Sequence, residues 1–138
     1  MDEIYYKITN KEECHNGYQY VDGLNILDKM FEPNGSCVVG GLYFTTIEHI
    51  FKFLDYGCYL REITLPKDCQ WVQDPAGDKF RADKIILGKK YDLADPSTFQ
   101  FLIEKGADIY AENNRALSYA SWFGHSEVVK YLINAGAK

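Results

Sequence analysis

Residues 102–138 read LIEKGADIYAENNRALSYASWFGHSEVVKYLINAGAK. The stretch opens on Leu102-Ile103-Glu104-Lys105-Gly106-Ala107 and closes on Leu132-Ile133-Asn134-Ala135-Gly136-Ala137, so the same apolar pair, spacer and Gly-Ala step recur thirty residues apart. Recurrence at such a period marks a stacked repeat, because one such unit cannot bury its apolar face alone. Between the two copies the sequence predicts one helical hairpin. Asn113 or Asn114 caps a first helix over 115–123, a short polar side chain accepting from free amides of the first turn. Gly124 ends that helix. A second helix over 126–135 places Val129, Leu132 and Ile133 on one apolar stripe before Gly136 stops it.

Leu117-Ser118-Tyr119-Ala120-Ser121, Gly124-His125, Glu127-Val128-Val129-Lys130-Tyr131-Leu132-Ile133 and Gly136-Ala137 together resemble an ankyrin repeat. Arg115-Ala116 stands where the ankyrin Thr-Pro opens the first helix, and the period is thirty residues instead of the usual 33. This short form resembles the ankyrin arrays of giant DNA viruses, which often carry an unrelated N-terminal domain. Residues 98–107 then form the second helix of a preceding half repeat, entered through Asp95 as cap and Pro96 at the first helical position.

The remaining ninety or so residues of the 138 are enough for a core of their own. A net charge of −5, with no basic run, argues against a nucleic-acid or anionic-membrane surface. Eighteen consecutive apolar residues never occur, so no membrane span is expected. Cys14, Cys37, Cys58 and Cys69 are widely spaced and follow no apolar leader, which fits reduced thiols in an intracellular, cytoplasmic setting, that of the host cell for a viral protein.

From the start of the chain, residues 4–9 read as a strand, 10–16 as a loop and 18–21 as a second strand before Asp22-Gly23 turns the chain. Residues 25–37 read as a loop anchored by Ile26, Leu27, Met30 and Phe31. A β-rich run over 38–44 passes into a helix through Thr45 and Glu48, spaced as a capping box. In that helix Ile47, Ile50, Phe51 and Leu54 share one face. Residues 58–65 alternate as a strand stopped by Pro66, with shorter apolar segments at 70–72 and 80–87. The fold class is α+β. A small, mostly antiparallel α+β domain over 1–92 precedes a short helical ankyrin segment over 93–138, one half repeat plus one full repeat.

Candidate chemistry in the first domain is sparse. The metal candidates Cys14-His15, Cys37, His49, Cys58 and Cys69 include no paired short spacing such as C-x(2-4)-C that would pre-organise a tetrahedral site, so no metal or other cofactor is expected. The order His15-Asn16-Gly17, Gly23-Leu24-Asn25, then Gly41-Leu42-Tyr43-Phe44-Thr45 leading into a helix resembles the dinucleotide-holding segments of ADP-ribosyltransferases. That resemblance implies an alternative, nucleotide-binding or catalytic, with His15 on ribose and Tyr43 on nicotinamide. The first domain lacks the later Glu that orients the nucleophile in that family: its acids after Leu65 are Asp68, Asp74, Asp78, Asp83 and Asp92.

The ankyrin resemblance implies a non-enzymatic protein–protein interaction module with a protein partner, host-derived in a viral setting. Its contact positions would be Tyr110, Glu112, Asn113, Arg115, Tyr119 and Trp122, where Tyr, Trp and Arg are the types that dominate interface energy. Two packing expectations follow. The half repeat lacks its first helix, so Phe99, Leu102 and Ile103 need the first domain as a cap. The last repeat keeps an internal repeat's composition, so the chain is expected either to be an excerpt of a longer ankyrin protein or to self-associate through that repeat.

Overall fold

In a computed structural model, residues 3–137 are described; Met1, Asp2 and Lys138, at the ends of the two expected domains, lie outside them. Among the described residues nine strands precede three α-helices, with a 3-10 helix between the fifth and sixth strands. The largest sheet is antiparallel, ordered β1 (Tyr5–Thr9), β6 (Tyr59–Thr64), β9 (Lys84–Asp92), β4 (Gly23–Ile26). A second antiparallel sheet runs β5 (Leu42–Phe44), β8 (Phe80–Ala82), β7 (Trp71–Gln73), and β2 (Cys14–His15) pairs with β3 (Tyr18–Gln19). The two larger sheets meet at one bridge, where Tyr6 and Thr45 exchange backbone hydrogen bonds of 2.8 Å.

Several local expectations change. Thr45 is the bridge residue just past β5, and its hydroxyl donates to the Asp78 carbonyl at 2.6 Å, so it is not free to cap anything. The following helix, Ile47–Tyr56, is 3-10 in form and carries no side-chain cap. Its buried face, Ile50, Phe51 and Leu54, is the expected one. Residues 23–26, expected partly as a loop, form β4, with Asn25 buried and Leu24 and Ile26 exposed. Met30, expected as an anchor, is 89 % exposed.

The C-terminal helices are α1 (Pro96–Glu104), α2 (Ala111–Trp122) and α3 (Ser126–Asn134). Asp95 caps α1, its side chain accepting from the Ser97 amide at 2.9 Å. Neither asparagine caps the hairpin helix: Glu112, Asn113 and Asn114 sit in the left-handed region, and only beyond them is α2 right-handed. The Asn114 Oδ1 atom is buried without a partner. On α3 the buried pair is Val128 and Leu132; Val129 is half-buried and Ile133 is 54 % exposed, so the apolar stripe is turned by one position.

One core crosses from sheet to repeat. Tyr6, Ile8, Leu60 and the 3-10 residues Ile50, Phe51 and Leu54 share a buried cluster with Phe99, Leu102, Ala116, Tyr119, Val128 and Leu132. Phe99 packs on Phe51 with ring centroids 5.7 Å apart, and Phe101 stacks on Tyr91 at 4.8 Å. Each large side chain buried this way stabilises the fold by roughly 1.5–3 kcal/mol. Phe99 and Leu102 are therefore covered by the α+β part, as the missing first helix requires. Close approach explains Gly57, which ends the 3-10 helix: a Cβ there would lie 1.9 Å from the Thr9 carbonyl oxygen.

A second cluster, with Tyr20, Leu42, Phe44, Ile63, Ala82, Ile85 and Leu87, fills the space between the two larger sheets. Two arginines are buried beside it. Arg61 faces Asp22 at 2.5 Å and Glu13 at 3.6 Å, and Arg81 faces Asp74 at 3.3 Å.

Candidate functional site

Two regions of the fold offer surfaces on which chemistry or recognition can act. The first is the hairpin. Trp122, at the end of α2, is 85 % exposed, with the exposed Phe123 next to it and Tyr110 exposed at the start of the helix. Arg115 reaches back to Asp55 on the 3-10 helix, Nη1 to Oδ2 2.7 Å. A shallow groove follows, lined by Asp55, Arg115, Ser118, Tyr119, Trp122 and Phe123. Glu112 and Asn113 are exposed in the left-handed turn at one end of the helix.

Tyr119 departs from the expected contact set. Only 3 % of it is exposed, and its hydroxyl donates to the Gly57 carbonyl at 2.7 Å. Burial pushes that hydroxyl up to about 12, so it stays a donor at neutral pH. Tyr119 therefore joins the repeat to the α+β part, while the outward position beside it belongs to Phe123. Phe123 in turn stacks on His125, centroids 6.0 Å apart. The sequence expectation did not include Phe123 or Asp55 in the surface. Phe123 precedes the Gly-His step, where an apolar residue reads equally as packing, and Asp55 is brought in only by tertiary contact.

The second region is a cleft of about 160 Å³ beside the Tyr6–Thr45 bridge. Tyr6, Lys7 and Ile8 of β1 form one wall and Tyr43, Phe44 and Thr45 the other. His15 and Asn16 close one part, Phe53 and Tyr56 of the 3-10 helix another, and Lys79 stands in the lining as well. His15 and Tyr43, far apart in sequence, thus meet at one cleft. Each has a polar atom engaged within the fold: His15 Nε2 accepts from the Asn10 amide at 3.1 Å, and the Tyr43 hydroxyl donates to the Val38 carbonyl at 2.6 Å.

The electrostatics of this cleft are set by Lys7. It is 9 % exposed, its ammonium donates to the Tyr43 carbonyl at 2.7 Å, and it lies 4.7 Å from the centre of the Tyr20 ring. Burial lowers its pKa to about 7. Burial, and then the charge of Lys7, lower His15 to about 4 against an opposing pull from Glu13, so His15 is neutral near pH 7. Lys79 lies 5.4 Å from the centre of the Tyr43 ring and donates to Cys37 Sγ at 2.9 Å, and that bond holds the Cys37 thiol below its ordinary value. No Asp or Glu lines the cleft among the described residues.

Comparison with known proteins places the hairpin first. Residues 92–133 match the sequence profile described as "Ankyrin repeats (many copies)". The chain is 51 % identical over 136 residues to the ankyrin repeat protein R868 of Acanthamoeba polyphaga mimivirus, covering 95 % of this chain and 67 % of that one. It is 42 % identical over 135 residues to the uncharacterized protein R869 of the same virus, 95 % of this chain and 98 % of that one. The mimivirus ankyrin repeat protein R229 is 40 % identical over 143 residues, 94 % of this chain but 47 % of its own length. These matches take in the α+β part as well as the helices. No solved structure matches the chain.

Proposed function

The chain belongs to the ankyrin-repeat proteins, and from that premise we propose that it is a non-enzymatic protein–protein interaction module whose contact surface is the exposed aromatic end of the hairpin. The observation that carries this reading is Trp122, a large apolar side chain 85 % exposed beside exposed Phe123, with the Arg115–Asp55 pair at the groove's edge. An aromatic anchor next to a polar rim is the composition of interface hot spots. Tyr110, Glu112, Asn113 and Arg115 extend the surface along the hairpin; Tyr119 supports it from beneath. In this reading the α+β domain over 1–92 caps the array through a shared core, and the partner is a host protein met in the cytoplasm, a setting that suits four free thiols. A second copy docked through the exposed Ile133 on α3 is the self-associating form of the same function.

The experiment is affinity capture from Acanthamoeba extract with the wild-type chain and with Trp122→Ala and Phe123→Ala. The reading requires that a discrete partner be retained by the wild type and lost by both variants while their thermal stability is unchanged. Retention of the same partner by both variants at wild-type level refutes this surface.

A further inference from the structure

Lys7 places an amine inside the fold, a cation at pH 7 and below, with no carboxylate in salt-bridge range among the described residues. A buried charge is normally paired, since removal from water is costly unless an opposite charge compensates it. The other two deeply buried cations of this fold obey that rule: Arg61 has Asp22 and Glu13, and Arg81 has Asp74. Lys7 has only a carbonyl and a ring face. It differs from them in lining an open cleft.

The rest of that cleft complements the ammonium in a definite way. A second cation, Lys79, stands in the lining, and Thr45 and Asn16 add polar groups. The walls are otherwise aromatic, with Tyr43, Phe44 and Phe53. The volume of about 160 Å³ is close to the roughly 150 Å³ cavity that admits a benzene ring. A site with two cations, no lining carboxylate, aromatic walls and room for one ring is built for a small flat anion.

We infer that the cleft beside the Tyr6–Thr45 bridge binds a single-ring organic anion, its carboxylate or phosphate drawn to Lys7 and Lys79 and its ring held against Phe44 and Phe53. The anion supplies the charge that Lys7 lacks, and the ring displaces water from an aromatic slot. This site is independent of the hairpin surface, so the interaction reading can fail without it and the reverse.

The test is an NMR titration of the full chain with four probes: benzoate, phenyl phosphate, inorganic phosphate and the neutral benzyl alcohol. Saturable shifts centred on Lys7, Tyr43 and Phe53 are expected with benzoate or phenyl phosphate, at least tenfold tighter than with benzyl alcohol. Which of the two ring anions binds more tightly distinguishes a carboxylate from a phosphate ligand. Lys7→Met is expected to weaken that binding at least tenfold, and Lys79→Gln serves as the second variant should Lys7→Met fail to fold. Trp122→Ala leaves the titration unchanged. The inference is overturned if neither ring anion shifts the cleft at 20 mM on the order of weak fragment affinities, if benzyl alcohol binds as tightly, or if both lysine variants bind as the wild type does. Shifts scattered over surface lysines, equal for inorganic phosphate and insensitive to both variants, overturn it as well.

Discussion

Replacing Lys7 with Met should stabilise the protein at neutral pH, against the usual cost of altering a buried residue. In the unfolded chain the amine has its ordinary value of 10.5, and in the fold burial brings it to about 7. At about 1.4 kcal/mol for each tenfold change, that difference sets an upper bound of about 5 kcal/mol on the cost of folding with a protonated Lys7. The variant forfeits the hydrogen bond to the Tyr43 carbonyl, and leaving a buried acceptor unpaired costs about 1–3 kcal/mol. The net gain for Lys7→Met at pH 7 is therefore at most about 2–4 kcal/mol. The sign depends on pH. Between about 7 and 10.5 the unfolded chain holds a proton that the fold does not, so the wild type gains stability from this group as pH rises. The advantage of the variant is full at pH 7 and below, and it shrinks as pH climbs toward 10.5. Of the groups around Lys7, His15 titrates far below this window, burial pushes Tyr20 and Tyr43 upward, and the Glu13 side chain lies between the Thr9 hydroxyl and Arg61. Urea denaturation of both proteins at pH 6.5, 8 and 9.5 measures the difference. A variant less stable than wild type at pH 7, or a difference that does not change with pH, refutes the reasoning.

Three further outcomes follow from the packing. Tyr119→Phe removes the hydroxyl that donates to the Gly57 carbonyl, and urea denaturation should show a loss of about 1–2 kcal/mol with the fold retained. Trp122→Ala, at an exposed position, should change stability by no more than about 0.5 kcal/mol in the same assay. Asp74 accepts from Ser36, the Cys37 and Ala76 amides and Arg81; burial opposes its charge, but the Ala76 and Cys37 amides, the Ser36 hydroxyl and the charge of Lys79 hold its carboxyl down to about 2 against an ordinary 3.8. Its contribution is complete above 3.8 and lost as pH falls through about 2, so the stability gap between wild type and Asp74→Asn should be constant near neutrality and narrow across that acid range.

The hairpin was legible because small, apolar, Gly and His positions recur together, and so was the face of Ile50, Phe51 and Leu54. The orientation of α3 was not. Val128/Leu132 and Val129/Ile133 are two adjacent i, i+4 pairs of similar hydrophobicity, and only the neighbours, α1 and α2, decide which is buried. β4 escaped notice because its inward residue is polar: Asn25 is buried, its amide donating to the Val21 and Gly23 carbonyls, while Leu24 and Ile26 face out. Alternation then reads with inverted sign. The cleft was half legible. His15 and Tyr43 were singled out, but the lysine that dominates its charge sits inside the apolar run Tyr5-Tyr6-Lys7-Ile8, where a single Lys reads as the outward position of a strand. Its burial comes from the second sheet, which joins at the Tyr6–Thr45 bridge and is set by contacts distant in sequence.

The central claim is that the half repeat has no independent core and that the α+β part completes it through Phe99, Leu102 and Tyr119. Hydrogen exchange on the full chain with Phe99→Ala tests it directly, because cutting this side chain from the Phe51 contact costs about 3–5 kcal/mol if the site is shared core. Protection is expected to fall together in α1, α2 and α3 and in the amides of β1 and the 3-10 helix. Loss confined to α1, with β1 and the 3-10 helix protected as in the wild type, contradicts the account.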